Sequence, residues 1–164
     1  VTPARGEGPY YRPDAPFRSD LNVLGREGTA IRIRGHVRSA EGCVPLAGAL
    51  VDVWHAMQGP PDPPYDMASA DYEFRGRMLT DEHGRYEIRT LRPPNYPDSV
   101  DGHMVQAHLH LRVSADGHTS IITQIVFSDD PYNGDHTPTV EVTLVDDGSG
   151  VLTAEHELVL DLAV

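Results

Sequence analysis

Ile31-Arg32-Ile33-Arg34-Gly35-His36-Val37 decides the fold class. Ile31, Ile33 and Val37 alternate with Arg32, Arg34 and His36. That is the period at which successive strand side chains point to opposite faces. One face is apolar and the other charged, so the segment reads as a half-buried strand. The alternation returns at Val140, Val142 and Leu144, and again at Leu158, Leu160, Leu162 and Val164. Leu46 to His55 is apolar nearly throughout and reads as a central strand entered by the turn Gly42-Cys43-Val44-Pro45. Arg77 to Thr80 reads as a short strand, Asp81-Glu82-His83-Gly84 as a hairpin turn, and Tyr86, Ile88 and Thr90 as its returning partner. Ala107 to Val113, Ile121 to Phe127 and Thr139 to Val145 are also strand-like. Proline punctuates the rest. Residues 57–70 and Arg92 to Met104 read as long loops, and residues 1–29, broken by Pro9, Pro13 and Pro16, as an irregular N-terminal arm. The expectation is an all-β antiparallel β-sandwich with long active-site loops, one domain over residues 1–164.

Composition narrows the function. The chain has 164 residues, with 13 Lys plus Arg against 25 Asp plus Glu, a formal charge of −12. An acidic chain with no basic block is a poor partner for nucleic acid or anionic lipid. The 15 Gly and 14 Pro disfavour long helices. No apolar run approaches the roughly 20 residues of a membrane span. The single cysteine, Cys43, excludes an internal disulfide framework and a multi-cysteine zinc site. The sequence starts at Val1, so a removed signal peptide would leave no trace. The expectation is a soluble protein, cytoplasmic rather than secreted, and a possible homo-oligomer.

The chemistry concentrates in Ala107-His108-Leu109-His110-Leu111. On a strand, His108 and His110 share one face while Leu109 and Leu111 face the core. Two imidazoles side by side are either ordinary surface histidines or half of a metal site. No Asp or Glu beside them completes a zinc site or a two-His-one-carboxylate iron site. Each proline-rich loop instead presents a tyrosine, Tyr65 in Pro63-Pro64-Tyr65-Asp66 and Tyr96 in Pro94-Asn95-Tyr96-Pro97. A loop tyrosine is often only a packing residue. As phenolate, it is a hard anionic donor suited to Fe(III). Two phenolates and two imidazoles around Fe(III) leave net charge +1 and an open position that suits a catecholate.

Taken in order, these strings resemble the intradiol ring-cleavage dioxygenases, the family of protocatechuate 3,4-dioxygenase, catechol 1,2-dioxygenase and hydroxyquinol 1,2-dioxygenase. The matching segments are Glu7-Gly8-Pro9-Tyr10-Tyr11, Pro45 to Ala56, Tyr65-Asp66, Phe74 to Arg77, Thr80 to Tyr86, Tyr96-Pro97, Ala107 to His110 and Thr123 to Phe127. The resemblance implies a β-sandwich holding one mononuclear non-haem Fe(III). It implies Tyr65, Tyr96, His108 and His110 as metal ligands, with Tyr96 also acting as base. Tyr10 would line the substrate pocket, and Gln124 would lie near the reacting carbons. The substrates implied are a small aromatic diol and O2, and the product a cis,cis-muconate.

One position departs from the pattern. The family usually carries an arginine three residues before the first histidine ligand, where it stabilises charge on the ring and helps fix the glutamine. Here that residue is Val105, a substrate-pocket position. Arg75, Arg77 and His103 are the candidates for supplying the charge from elsewhere. The departure supports a second reading, different oxidative chemistry on the same iron with an unusual aromatic. A third reading is a non-catalytic sandwich module, which gives no reason for the two tyrosines and two histidines. Trp54 reads as core, and His55 as either structural or supporting the site. Asp129-Asp130 reads as a solvated turn rather than a calcium loop, and His118, His136 and His156 show no partner pattern.

Overall fold

The computed structural model describes residues 1–59, 64–134 and 139–163, and every regular element within them is a strand. In chain order these are β1 (Ala30–Ser39), β2 (Leu50–His55), β3 (Arg75–Leu79), β4 (Arg85–Leu91), β5 (Tyr96–Pro97), β6 (Met104–Val105), β7 (His108–Ser114), β8 (Ile121–Phe127), β9 (Val140–Val142), β10 (Val145–Asp146) and β11 (Leu152–Leu160). One sheet runs β10-β11-β1-β4 and the other β3-β2-β7-β8-β9, with β5-β6 a small ribbon apart. Among the described residues no helix is long and apolar enough to cross a membrane.

Alternation places the core. Ile31, Ile33 and Val37 of β1, Ile88 of β4 and Leu158 and Leu160 of β11 face Val51 and Val53 of β2, Leu109, Leu111 and Val113 of β7 and Ile125 and Phe127 of β8. All of these side chains are buried, each worth about 1.5–3 kcal/mol relative to exposure. The outer face of the five-stranded sheet carries the alternate residues, His108 and His110 among them.

The all-β sandwich matches the expectation, but three pairings differ. Most neighbours are antiparallel, whereas β1–β11 and β8–β9 are parallel. The turn at Asp81 forms, with Asp81 accepting from the His83 and Arg85 amides, yet its flanking strands are not partners. β3 pairs with β2 and β4 with β1, so the chain crosses between sheets and lets Met78 and Ile88 share the core. Residues 139–145 are not one strand either, since β9 and β10 lie in different sheets. The last strand starts at Leu152 and ends at Leu160. Leu162 is exposed, and Val164 lies outside the described residues. The 57–70 loop is irregular on both sides of residues 60–63, which also lie outside them.

The arm is irregular as expected, and it is tied down by backbone hydrogen bonds. Thr2 donates to Val159 O, Arg5 to Ile122 O at 2.6 Å and Arg18 to Arg77 O at 2.8 Å. It therefore crosses the outer face of the five-stranded sheet from β8 to β3. Gly76 makes the far seat: a Cβ there would lie 2.6 Å from Leu21 Cδ2 and 2.9 Å from Arg18 O.

Candidate metal centre

The register of the sheet builds the first half of the site. On β7, His110 sits between Trp54 of β2 and Gln124 of β8. The Trp54 ring stacks on the His110 ring with centroids 4.9 Å apart and planes parallel. Trp54, expected in the core, is thus buried on the site's side of the sheet. His108 Nδ1 donates to Gln106 O at 2.7 Å. A carbonyl only accepts, so His108 carries its hydrogen on Nδ1 and a lone pair on Nε2. That Nε2 lies 2.9 Å from His110 Nε2.

The loops bring the second half. Tyr65 is 1% exposed, and its Oη lies 3.2 Å from Tyr96 Oη and 3.5 Å from His108 Nε2. Its ring stacks on Tyr10 at 4.5 Å. Asp66, next in sequence, fastens the loop by accepting from the Ala68, Ser69 and Glu73 amides. Tyr96 lies on β5 opposite Val105 of β6 and is half-buried. Its loop is fastened by Asp130, which accepts from Asn95 Nδ2 at 2.9 Å, from the Ala107 amide at 2.9 Å and from the Tyr132 amide at 2.8 Å. Asp130 therefore ties the loop of Tyr96 to the start of the histidine strand. The expectation of a solvated turn holds only for exposed Asp129, which pairs with Arg92; Asp130 is buried because its donors replace water.

Burial governs the protonation of all four groups. It raises the Tyr65 and Tyr96 phenols above their ordinary value, Tyr65 further because of the neighbouring Tyr96 hydroxyl. It holds the His108 and His110 imidazoles below theirs. Neutral imidazole is the ligating form. Two nitrogens and two phenol oxygens are thus linked by successive contacts of 3.2, 3.5 and 2.9 Å, with His108 Nε2 presenting a lone pair into the cluster. This N2O2 donor set fits a hard trivalent cation, whose charge would draw off the phenol protons.

A cavity of about 610 Å³ opens onto the cluster, and Tyr10, Tyr96, Val105, His108, His110 and Gln124 all line it. Of the three cations considered for it, only His103 does. Its imidazole is engaged by Asp101. Arg75 is 1% exposed, donates to Asp66 O and is absent from the wall. Arg77 donates to Ala15 O beneath the arm. Arg5, which sequence reasoning passed over, lines the cavity and donates from Nη2 to Gln124 Oε1 at 3.3 Å. His55 is structural: Nδ1 meets Ala56 O and Nε2 meets Thr90 Oγ1. His118 and His156 do have partners, Ser39 and Tyr86, far from the cluster in sequence and outside the cavity wall. His136 lies outside the described residues.

A family model described as "dioxygenase" matches residues 6–162. Hydroxyquinol 1,2-dioxygenase of Rhizobium sp. (strain MTP-10005) is 36% identical over 140 residues, 76% of this chain and 47% of the relative. Chlorocatechol 1,2-dioxygenase of Rhodococcus opacus is 32% identical over 145 residues, 77% of this chain and 56% of the relative. The chain belongs to the intradiol dioxygenase family. Solved structures of the family superpose over nearly all of it. The dioxygenase domain of a dioxygenase carbohydrate-binding protein fusion from Streptomyces sp. SirexAA-E gives a TM-score of 0.84 at 31% identity, covering 99% of both chains. Catechol 1,2-dioxygenase from Pseudomonas arvilla C-1 gives 0.84 at 29% identity, covering 99% of this chain and 62% of the other. The chain spans about half the length of these curated relatives.

Arg5 and Asp130 are the residues in the site's surroundings that sequence reasoning missed. A signal for Arg5 existed: it is the only basic residue before Arg12, two positions ahead of the family string that begins at Glu7. For Asp130 the signal was weaker, an acidic pair followed by Pro131.

Proposed function

We propose that the chain binds one Fe(III) through Tyr65 Oη, Tyr96 Oη, His108 Nε2 and His110 Nε2, and opens a catechol-type ring between its two hydroxyl-bearing carbons. O2 is the co-substrate and a cis,cis-muconate-type acid the product. The observation that carries this reading is the convergence of those four donor atoms, three of them on residues that line the cavity, with Tyr65 Oη behind Tyr96 and His108. When bound, the ferric ion supplies a Lewis-acidic centre that takes up the diol and makes its ring reactive towards O2.

The protein's residues do the rest. Tyr96, half-buried on a two-residue strand, is the phenolate free to swing away and accept a catechol proton at Oη. Tyr65, stacked on Tyr10 and fully buried, holds its place. Tyr10 and Val105 wall the ring, and Gln124 offers its carboxamide beside His110. The segment over 98–105 brings Asp98 and the apolar Met104 and Val105 to the wall, which favours neutral catechols over carboxylated ones. The arm crosses the sheet to line the same cavity, which supports reading arm and sandwich as one unit. The reading as different oxidative chemistry rested on the missing cation at Val105, and the presence of Arg5 in the same wall supports ring cleavage over it.

Purified protein is expected to be burgundy from ferric–tyrosinate charge transfer, to hold about one iron per chain, and to turn over plain or hydroxylated catechol faster than protocatechuate. Colourless protein that fills with zinc and stays inactive after ferric reconstitution overturns the reading.

A further inference from the structure

Resting on that reading, we infer that Arg5 of the N-terminal arm is the positioning cation of the cavity: it orients Gln124 and sets a fixed positive charge beside the bound diol. Three observations carry this. First, the guanidinium reaches the cavity wall from outside the sandwich and donates from Nη2 to Gln124 Oε1 at 3.3 Å. A donor on Oε1 settles which end of the carboxamide is which, and so turns the Nε2 hydrogens of Gln124 away from Arg5. Second, Arg5 is half-buried, and among the described residues no carboxylate lies within salt-bridge distance of it. Among those residues no carboxylate cancels its charge, and half-burial keeps water from fully screening it. Third, its backbone is pinned independently of its side chain, by the amide bond to Ile122 O at 2.6 Å on the strand that carries Gln124. The side chain is left free to serve the cavity.

The chemistry calls for such a group. A diol that gives up both protons and is then attacked at a ring carbon gathers negative charge on that face of the ring, and a preorganised cation lowers the cost. Val105 supplies none. His103, the basic group on the wall outside Arg5 and the donor cluster, already faces Asp101. Arg5 also explains how a wall that is apolar at Val105 remains suited to an anionic ring. The arm becomes part of the catalytic apparatus rather than a strap on the sandwich, and any chain cut before Gly6 loses the cation.

The test uses iron-loaded full-length protein as wild type, Arg5→Ala, Arg5→Lys, Val105→Arg, and the double variant of Arg5→Ala with Val105→Arg. Two readouts are taken: kcat and KM on catechol, and the anaerobic dissociation constant of 4-nitrocatechol from its visible charge-transfer band. Arg5→Ala is expected to lower kcat by roughly 10²-fold and to weaken 4-nitrocatechol by about tenfold, with iron content and melting temperature unchanged. Arg5→Lys should recover part of both. Val105→Arg should rescue the Arg5→Ala enzyme while adding little to wild type, because one cation suffices. Arg5→Ala within twofold of wild type on both readouts overturns the inference and leaves the dioxygenase reading standing. Loss of iron and melting temperature in both Arg5→Ala and Arg5→Lys also overturns it, because the side chain would then only be holding the arm. Wild type that neither binds 4-nitrocatechol nor opens catechol overturns the dioxygenase reading, and the inference with it.

Discussion

Tyr65 and Tyr96 offer the same atom to the same cluster but are held very differently. The Tyr65 ring is stacked under Tyr10, and its loop is closed by three backbone amides on Asp66. Tyr96 is half-buried and held mainly through its neighbour Asn95. The two phenols should therefore fail differently. Tyr65→Phe is expected to lose most of its iron on dialysis, because a fixed donor is gone. Tyr96→Phe should retain most of its iron and its folded stability but turn over roughly 10²–10⁴-fold more slowly, the cost of a missing general base. Metal analysis beside steady-state kinetics separates the two, and equal iron with full activity in both variants refutes the assignment. At this scale the candidate cluster was legible because the local string carries it: His-x-His on a strand puts two imidazoles on one face wherever the strand goes. Arg5 was not legible. Its role depends on where an irregular arm lands, and no spacing around Arg5 encodes that Ile122 is its backbone partner.

Strands were easier to read than their partners. Alternation tells which face of β1 is buried, but it holds whether the neighbour is antiparallel β4 or parallel β11. The tight turn at Asp81 is local chemistry, whereas the sheet that each flank joins is decided by distant core contacts. The early part of β11 stayed hidden because Glu155, His156 and Glu157 interrupt its apolar pattern, with His156 spent on Tyr86. The loops show the same limit: Asp130 reads as one more turn acid until the fold brings Asn95 and Ala107 to it. Asp130→Ala leaves those buried donors unpaired, each costing about 1–3 kcal/mol. Because the donors belong to the segments of Tyr96 and His108, the loss should fall on the metal centre more than on the sandwich. Iron retention is expected to drop at least several-fold while the far-ultraviolet dichroism of the strands persists. A variant that binds iron as wild type does would show that β5, β6 and β7 hold their positions without the staple.

For the molecule as a whole, acid pulls in two directions. The formal charge of −12 at pH 7 shrinks as carboxylates take up protons, which relieves repulsion across the surface. The buried histidines act oppositely. Burial lowers His55 from 6.5 to about 4, and His156 likewise to about 4. The fold favours their neutral forms, so their contribution is complete above pH 6.5 and is lost as pH falls towards 4. For His55, 2% exposed between Ala56 O and Thr90 Oγ1, the loss reaches about 3 kcal/mol. Surface repulsion is largely screened beyond about 8 Å at physiological salt, and a buried imidazole is not, so the histidines should win. Asp81, lowered to about 2 chiefly by the hydrogen bond it accepts from the Arg85 amide, adds its loss only below the histidine window. Urea unfolding at fixed physiological salt should therefore show stability falling steadily from pH 6.5 to 4.5. His55 and His156 together should take up one to two protons on unfolding, a slope of about 1.4 kcal/mol per pH unit for each, and His108 and His110, also held below their ordinary value, add to it. His55→Gln keeps a donor and an acceptor but cannot titrate, and it should flatten that slope by about one proton whatever it costs at pH 7. An unchanged slope would mean that His55 is protonated in the fold as readily as in the open chain, and that the link it makes from β2 to Thr90 of the facing sheet does not depend on its charge.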